Sequence, residues 1–443
     1  MINSINLPKK VLLIINALEK HGFECYVVGG CVRDSLLGIV PKDWDICTSA
    51  KPKQIIKALS QFTVIPTGIK YGTVTAIIDN QSFEITTYRK ESNYINNRKP
   101  KDIAFVNSLK QDLKRRDFTI NSMAYHPNTK IIDYFGGIGD LKKGIVRCVG
   151  DPYERFEEDA LRILRAVRFC SVFGFKPDDN TKKAMLEKKL LLNNISNERI
   201  SSEFCKALLG KYISTSLNEF SNIIAIIIPE LAPIINSDYK IYENINIWES
   251  ILFSIYNSKP VLLVRLCLLF KYIGIPNCLN ISSKQNYLQI SSDIAEKIAT
   301  RLQISKQDIK TLKKIIQYQN EDLPFEIEQI CFKLNELGSK VYSLLLQTRQ
   351  ASSIVLNEKD KKIATNQIEK SQELLTYIIN NNICYCIEQL NINGKDLINL
   401  GYKQGPIIKS ILKKILKEVI NGNLQNTHEQ LLNYANKLKT NIN

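Results

Sequence analysis

The apolar positions fall into two regimes. Near the start, "VLLIINAL" (residues 11–18) repeats its apolar residues with helical spacing. It is too short to span a bilayer and no small-residue cleavage site follows it, so a core helix is expected. "ECYVVGG" (24–30) predicts a strand ending in a turn, and "DWDICT" (43–48) and "GTVTAII" (72–78) predict further strands. "FEITTYR" (83–89) alternates with period two, which puts Glu84, Thr86 and Tyr88 on one face and Phe83, Ile85 and Thr87 on the other. From about residue 151 the strand signals fade and helical spacing runs almost to the end. "QIEKSQELLTYIINNN" (367–382) and "GPIIKSILKKILKEVINGN" (405–423) are amphipathic, the second with a stripe of Lys409, Lys413, Lys414 and Lys417. The expectation is an α+β chain: a small head with a mixed β-sheet, then an all-helical remainder.

Composition narrows the class. The 443 residues are 44% hydrophobic and 23% charged, which fits a folded chain of several domains and excludes disorder. A formal charge of +16 fits a polyanionic partner, although a compositional drift toward Lys, Asn and Ile gives the same excess. The 11 cysteines form no C-x-x-C pair, and Cys384 and Cys386 stand too close for a zinc knuckle. A reduced, cytoplasmic protein without a membrane partner is expected. With only His21, His126 and His428, histidine-rich metal centres and most histidine-dependent mechanisms are excluded.

One stretch carries candidate chemistry: "GGCVRDSLLGIVPKDWDI" (29–46). On a strand Asp43 and Asp45 share a face, with Trp44 opposite. Two carboxylates this close repel unless a cation lies between them, and hard oxygen donors suit Mg²⁺, which also binds substrate phosphates. A solvated edge strand is the plain alternative. Gly29 and Gly30 let the backbone approach a phosphate closely, Arg33 suits a charge-assisted contact with a triphosphate, and Asp34 caps or braces the turn. If the strand at 83–89 neighbours the Asp strand, Glu84 supplies a third carboxylate; an exposed structural glutamate fits its position as well. In "DPYERFEEDALRILRAVRF" (151–169), Asp159 and Arg162 are i and i+3 on one helical face, an acceptor beside a forked donor able to match a base edge. An ordinary surface ion pair above the apolar stripe of Ala160, Ile163, Val167 and Cys170 is the alternative. Arg165 and Arg168 continue the row and either hold phosphate or brace the carboxylate.

These stretches, in this order, resemble the nucleotidyltransferase superfamily, in the branch of bacterial tRNA nucleotidyltransferases (CCA-adding enzymes) and poly(A) polymerases. "RRDFTINSMAYHP" (115–127) is similar to its ribose-recognition motif, residues 151–169 to its base-reading helix and "ISNERISSEF" (195–204) to the motif bracing that helix. "NGKDLINLGYKQGPIIKSILKKIL" (393–416) resembles an RNA-binding tail. The resemblance implies a nucleotidyltransferase head at 1–143, a neck with the base-recognition helix at 144–235, a body at 236–322 and a tRNA-binding tail at 323–443. It implies template-independent addition of CMP, CMP and AMP to the 3′ end of tRNA from CTP and ATP, with release of pyrophosphate. Asp43 and Asp45 would bind Mg²⁺ and share catalysis with Glu84. Gly30, Arg33 and Arg116 would position phosphates, Arg116 and Asp117 the triphosphate and ribose, and Asp159 and Arg162 the base, with Arg165 and Arg168 beside them. A helix N-terminus with Asp117 as cap also fits 115–127.

Within that branch, "VIPTGIKYGTVTAI" (64–77) resembles the tRNA enzymes, where poly(A) polymerases carry an Arg-rich segment. The loop over 88–118 looks full length and keeps Arg98, Lys99 and Pro100, with Lys99 where a second arginine is usual and Asn96 near the place of an aspartate. Full CCA addition is expected, with A-addition alone, poly(A) synthesis and a non-enzymatic tRNA-binding protein as alternatives. "LLFKYIGIP" (268–276) stands where many relatives carry a His-Asp phosphohydrolase signature, with Lys271 and Tyr272 in place of the pair. A helical scaffold without phosphohydrolase activity is expected there.

Overall fold

The computed structural model describes residues 4–95, 97, 99–242, 245–278 and 287–440. Two compact units divide at residue 229, Met1–Pro229 and Glu230–Asn443. The first opens with α1 (Lys9–Lys20), β1 (Cys25–Val28), α2 (Gly30–Leu36), β2 (Ile46–Thr48) and α3 (Pro52–Ala58). Strands β3 (Thr63–Gly68), β4 (Thr73–Ile78), β5 (Gln81–Thr87), β6 (Arg89–Ile95) and β7 (Lys99–Phe105) follow. Then come α4 (Leu109–Lys114), β8 (Met123–His126), β9 (Lys130–Asp133) and α5 (Gly137–Lys143).

Seven strands form one mixed sheet in the order β3-β4-β5-β2-β1-β8-β9. Only β2 and β5 run parallel, with Ile46 opposite Ile85; β1 lies antiparallel to both β2 and β8. Alternation along β4 and β5 is as the period-two pattern predicts, with Val74, Ala76, Ile78, Phe83 and Ile85 buried. Asp79 and Asn80, at φ 45° and 61°, close the β4–β5 hairpin with the positive dihedrals that a two-residue turn requires. Tyr88, expected to share a face with Glu84, lies beyond the end of β5 and is fully buried. It joins Val28, Cys47, Leu109, Leu113 and Ala124 in one core cluster, so α4 covers the sheet beneath the glycine turn. β6 and β7 form a separate antiparallel hairpin, where the sequence predicted an irregular loop. Of the residues singled out there, Asn96 and Arg98 lie outside the described residues, and Lys99 and Pro100 open β7.

The rest of this unit is helical around α6 (Pro152–Glu158), α7 (Leu161–Phe173), α8 (Asp179–Lys188) and α9 (Asn197–Leu208). Asp151 caps α6 by accepting from Tyr153 N, and Pro152 fills the first position, whose N–H is unbonded in any helix. Two short strand pairs interrupt the expected all-helical remainder: Ile145–Val146 with Lys176–Pro177, and Lys240–Tyr242 with Ile245–Asn246.

The second unit packs helices around the buried segment Leu262–Phe270, whose partners include Ser339–Ser352 and Lys306–Gln317. The amphipathic pattern predicts both long tail helices, found at Glu358–Asn380 and Pro406–Ile420. In the latter Ile411, Leu412, Ile415 and Leu416 are buried while the four stripe lysines face solvent. No helix among the described residues is long and apolar enough to cross a membrane, and all eleven cysteines are free thiols.

Leu113 is fully buried in the cluster under the sheet. Leu113→Ala is expected to destabilise the first unit by about 2 to 5 kcal/mol through lost burial and a residual cavity. Urea unfolding followed by Trp44 fluorescence, in a Trp248→Phe background, measures it.

Candidate active site

The site grows from the end of β1. Gly29 has φ 80°, a conformation that favours glycine, and its N–H donates to Met123 O. Space is tight there as well: a Cβ would meet Arg116 Nη1 at 3.0 Å, with Asp45 Oδ2 at 3.9 Å. One turn therefore brings the backbone, a guanidinium and a carboxylate to a single point. Gly30 follows as the first residue of α2.

Strand β2 begins at Ile46, so Asp43 and Asp45 lie just before the strand rather than within it. The alternation persists nonetheless: Trp44 is buried, and Asp43 and Asp45 are exposed. A backbone bond from Val28 N to Asp45 O, 2.9 Å, holds this approach against β1. The parallel register of β2 and β5 sets Glu84, one residue before Ile85, alongside Asp45, one residue before Ile46. Glu84 is exposed. No preformed cluster of three metal-ligating side chains occurs among the described residues.

Desolvation raises the Asp45 carboxyl above its ordinary range; Arg116 opposes the rise and Asp43 adds to it. Two neighbouring oxygen-donor carboxylates that resist joint ionisation fit a hard divalent cation, which relieves that repulsion. Arg116 is the cation that acts on Asp45. Its Nη2 bonds Asp112 Oδ2 at 3.3 Å, and its Nε is buried without a hydrogen-bond partner among the described residues. Burial works against its charge, but Asp112 and Asp45 hold it firmly cationic. Arg115 also grips Asp112, at 2.9 Å, and reaches Glu91 at 3.1 Å.

Asp117 is buried and fully engaged, beyond the capping role that the sequence allows. Its Oδ1 accepts from Phe118 N and Asn121 Nδ2, and its Oδ2 takes Arg165 Nε at 2.8 Å and Nη2 at 2.6 Å. Burial would raise this carboxyl, yet Arg165, Asn121 and the Phe118 amide outweigh it and hold Asp117 far below the usual carboxylate range. Arg33 is buried too. Its guanidinium lies 5.1 Å from the Phe169 ring centroid and 5.0 Å from that of Phe173, and it bonds Asp34 and Asn121. In this arrangement Arg33 ties α2 to α7, and Asp34 braces it.

The predicted base-reading helix breaks at Asp159. Its backbone is extended, φ −141° and ψ 101°, so α6 ends before it and α7 starts after Ala160. The i, i+3 geometry therefore does not hold, and the two side chains do not pair. Asp159 accepts from Arg199 Nη1 at 3.2 Å and Nη2 at 2.8 Å, and also from Leu161 N. Arg162 is buried against Glu158 at 2.7 Å and the carbonyls of Arg155 and Arg115. Burial raises the Glu158 carboxyl against the pull of Arg155 and Arg162. Of the two roles open to Arg165 and Arg168, the bracing one matches their contacts: Arg165 with Asp117, and Arg168 with Glu203 at 2.6 Å. Arg199, Glu203, Glu158 and Asn121 went unassigned in the sequence reading, although all four stand inside its quoted motifs.

Comparison with known proteins follows this geometry. Residues 25–147 match the poly A polymerase head domain, 174–235 the probable RNA and SrmB-binding site of polymerase A, and 285–435 the putative tRNA nucleotidyltransferase domain 2. A CCA-adding enzyme of Ligilactobacillus salivarius is 35% identical, with 98% of each chain covered. That of Anoxybacillus flavithermus is 33% identical, with 96% of each covered. The structure of Bacillus stearothermophilus CCA-adding enzyme in complex with CTP superposes with a TM-score of 0.69 at 26% identity, covering 98% of both chains.

Because Asp117 is held ionised in the folded state, its contribution to stability is present above its unfolded pKa of about 3.9 and is lost as pH falls through the lower folded value. Asp117→Asn is expected to cost about 3 kcal/mol at pH 7, with the gap to the parent closing below about pH 4. Urea titrations from neutral pH downward test this sign.

Proposed function

The chain belongs to the CCA-adding enzymes, and we propose from that membership that it adds CMP, CMP and AMP to the 3′ end of tRNA, taking CTP and ATP and releasing pyrophosphate. The observation that carries the residue-level reading is the convergence of Asp45, Arg116 and the Gly29 backbone at one turn, with Asp43 beside them. Nucleotidyl transfer needs such a point, where a cation-binding carboxylate pair, a fixed guanidinium and open backbone can meet a triphosphate together. The long match to named CCA-adding enzymes supports tRNA as the acceptor, and the basic stripe on Pro406–Ile420 supports contact with its backbone. The cytoplasm, where such a substrate is made, is the proposed location.

In this reading Asp43 and Asp45 hold divalent cations, Mg²⁺ by their hard oxygen donors, with Glu84 alongside. Bound there, the cations supply acidity to the terminal hydroxyl and charge neutralisation to the triphosphate. Arg116 receives phosphate oxygens through its unpartnered Nε, and the absence of a Cβ at Gly29 and at Gly30 leaves the close approach open. The 3′-hydroxyl attacks the α-phosphorus in line, and the departing pyrophosphate leaves from the guanidinium side. Asp159 and Arg162 read the base edge. Arg199 keeps Asp159 aimed while one lone pair of its Oδ2 remains for a base donor. Arg162 reaches a base by exchanging its contact with Glu158. Arg33, Asp117, Arg165 and Arg168 position these groups.

With tRNA lacking CCA, the protein is expected to incorporate CMP when given CTP and a single AMP when ATP is added. Asp43→Ala with Asp45→Ala should lower incorporation by about a hundredfold or more while tRNA binding persists. Radiolabelled single-nucleotide additions resolved on a gel read both. AMP addition to CC-ending tRNA only would make the chain an A-adding enzyme, long A tails a poly(A) polymerase, and binding without turnover a tRNA-binding protein.

A further inference from the structure

Arg115 and Arg116 follow α4 side by side. Their side chains are chemically identical, yet their surroundings differ. Arg115 is committed to carboxylates on three nitrogens. Its Nε and Nη2 meet Asp112 Oδ1, each at 2.9 Å, and its Nη1 donates to Glu91 Oε1 at 3.1 Å. Arg116 gives Asp112 Oδ2 a single bond, from Nη2 at 3.3 Å, and its Nη1 lies against the Gly29 turn. One carboxylate thus serves both arginines and makes them unequal: its first oxygen takes up Arg115 and its second touches Arg116.

Asp112 is built into the core in a way that suits this task. It is fully buried, and its helix is pinned on either side by Leu109 and Leu113, which pack with Tyr88 in the core cluster. Its Oδ1 also accepts from the backbone N of Arg89, the next residue after Tyr88, at 3.3 Å. Burial disfavours its charge, but Arg115 and Arg116 outweigh the burial and hold the carboxyl below its ordinary range. A carboxylate fixed by packing and by other donors cannot follow a moving side chain, so it sets where the guanidinium bonded to it points. The bond to Arg116 engages Nη2, which leaves Nη1 at the turn and Nε without a partner among the described residues.

We propose that Asp112 is a positioning residue for nucleotidyl transfer: it occupies Arg115 and aims Arg116 at the Gly29 turn, where phosphate oxygens are received. Asp112 itself touches no substrate. This inference rests on the phosphate role proposed for Arg116 and adds to it the group that directs that guanidinium.

A double-variant cycle on the full chain tests it, with labelled CTP and ATP and tRNA lacking CCA. Asp112→Asn, which keeps an acceptor for the Arg89 amide, is expected to lower kcat/KM for both nucleotides about tenfold or more, with tRNA affinity unchanged. In an Arg116→Ala background the same change should cost less than about threefold, because the group it directs is gone. Inorganic pyrophosphate carries phosphate oxygens without base or ribose. Its inhibition should weaken in Asp112→Asn and in Arg116→Ala, and no further in the double variant. A purely structural brace behaves otherwise: Asp112→Asn then costs the same factor with and without Arg116, or leaves pyrophosphate inhibition unmoved, and either result overturns the proposal. If Arg116→Ala alone changes neither nucleotide use nor pyrophosphate inhibition, the phosphate role of Arg116 fails and the proposal falls with it. Loss in Arg116→Ala beside an indifferent Asp112→Asn refutes the positioning role alone. Thermal unfolding of each variant separates these outcomes from loss of the fold. If Asp112→Asn unfolds, Asp112→Glu, which keeps the charge and displaces it by a methylene, takes its place in the cycle with the same coupling expected.

Discussion

A single buried carboxylate joins the parts of the first unit that must act together. Asp117 takes two donors from its own turn and two from Arg165 on α7. Asn121, fixed by Asp117, in turn accepts from Arg33, and Arg33 lies against Phe169 and Phe173 on the same helix. The sheet, the helix after the glycine turn and α7 are thus tied through one chain of contacts. An ion pair in a low-dielectric setting is costly to break because the surviving partner stays charged and buried. This geometry is therefore maintained collectively: loosening Asp117 frees Asn121, which frees Arg33, which shifts the turn that carries Gly29.

That bracing explains why so many arginines around the site leave so few for a substrate. Arg115, Arg165, Arg168 and Arg199 each hold a carboxylate, and Arg33 holds Asp34. Arg116 differs. It bonds Asp112 at 3.3 Å, keeps an unpartnered buried Nε and faces Asp45 across the Gly29 backbone. Arg155 also keeps a buried unpartnered Nε, so what supports the proposed phosphate role of Arg116 is its place against the Gly29 backbone beside Asp45.

Periodic features were legible in the sequence. α1, β4, β5 and the two tail helices follow from spacing alone, because burial of one face dictates each. Glu84 beside Asp45 followed conditionally, and the β2–β5 pairing met the condition. The β6–β7 hairpin was not legible: "YRKESNYINNRKPKDIAF" is polar on both faces, so its strands leave no alternation to detect. The break at Asp159 was hidden for the opposite reason. Residues 151–169 read as one continuous helical pattern, and the break depends on Arg199, forty residues away, and on Asp159 capping Leu161 N. No local rule supplies an ion pair of that sequence separation.

The break has a consequence for base reading. On an unbroken helix, Asp159 and Arg162 would neutralise each other and present a paired, inward-looking surface. The extended backbone at Asp159 turns its carboxylate to Arg199 and leaves Arg162 with Glu158. Each side chain is thereby held by a third group and separated from the other, so in the proposed reading an incoming base competes with Glu158 and Arg199 rather than with a direct pair. Glu158 shares the hold on Arg162 with the carbonyls of Arg155 and Arg115. Cytosine and adenine both offer an exocyclic amino donor to a fixed acceptor and differ in the ring nitrogens and carbonyl beside it. A fixed acceptor at Asp159 therefore suits, in the proposed reading, a site that accepts both bases in turn.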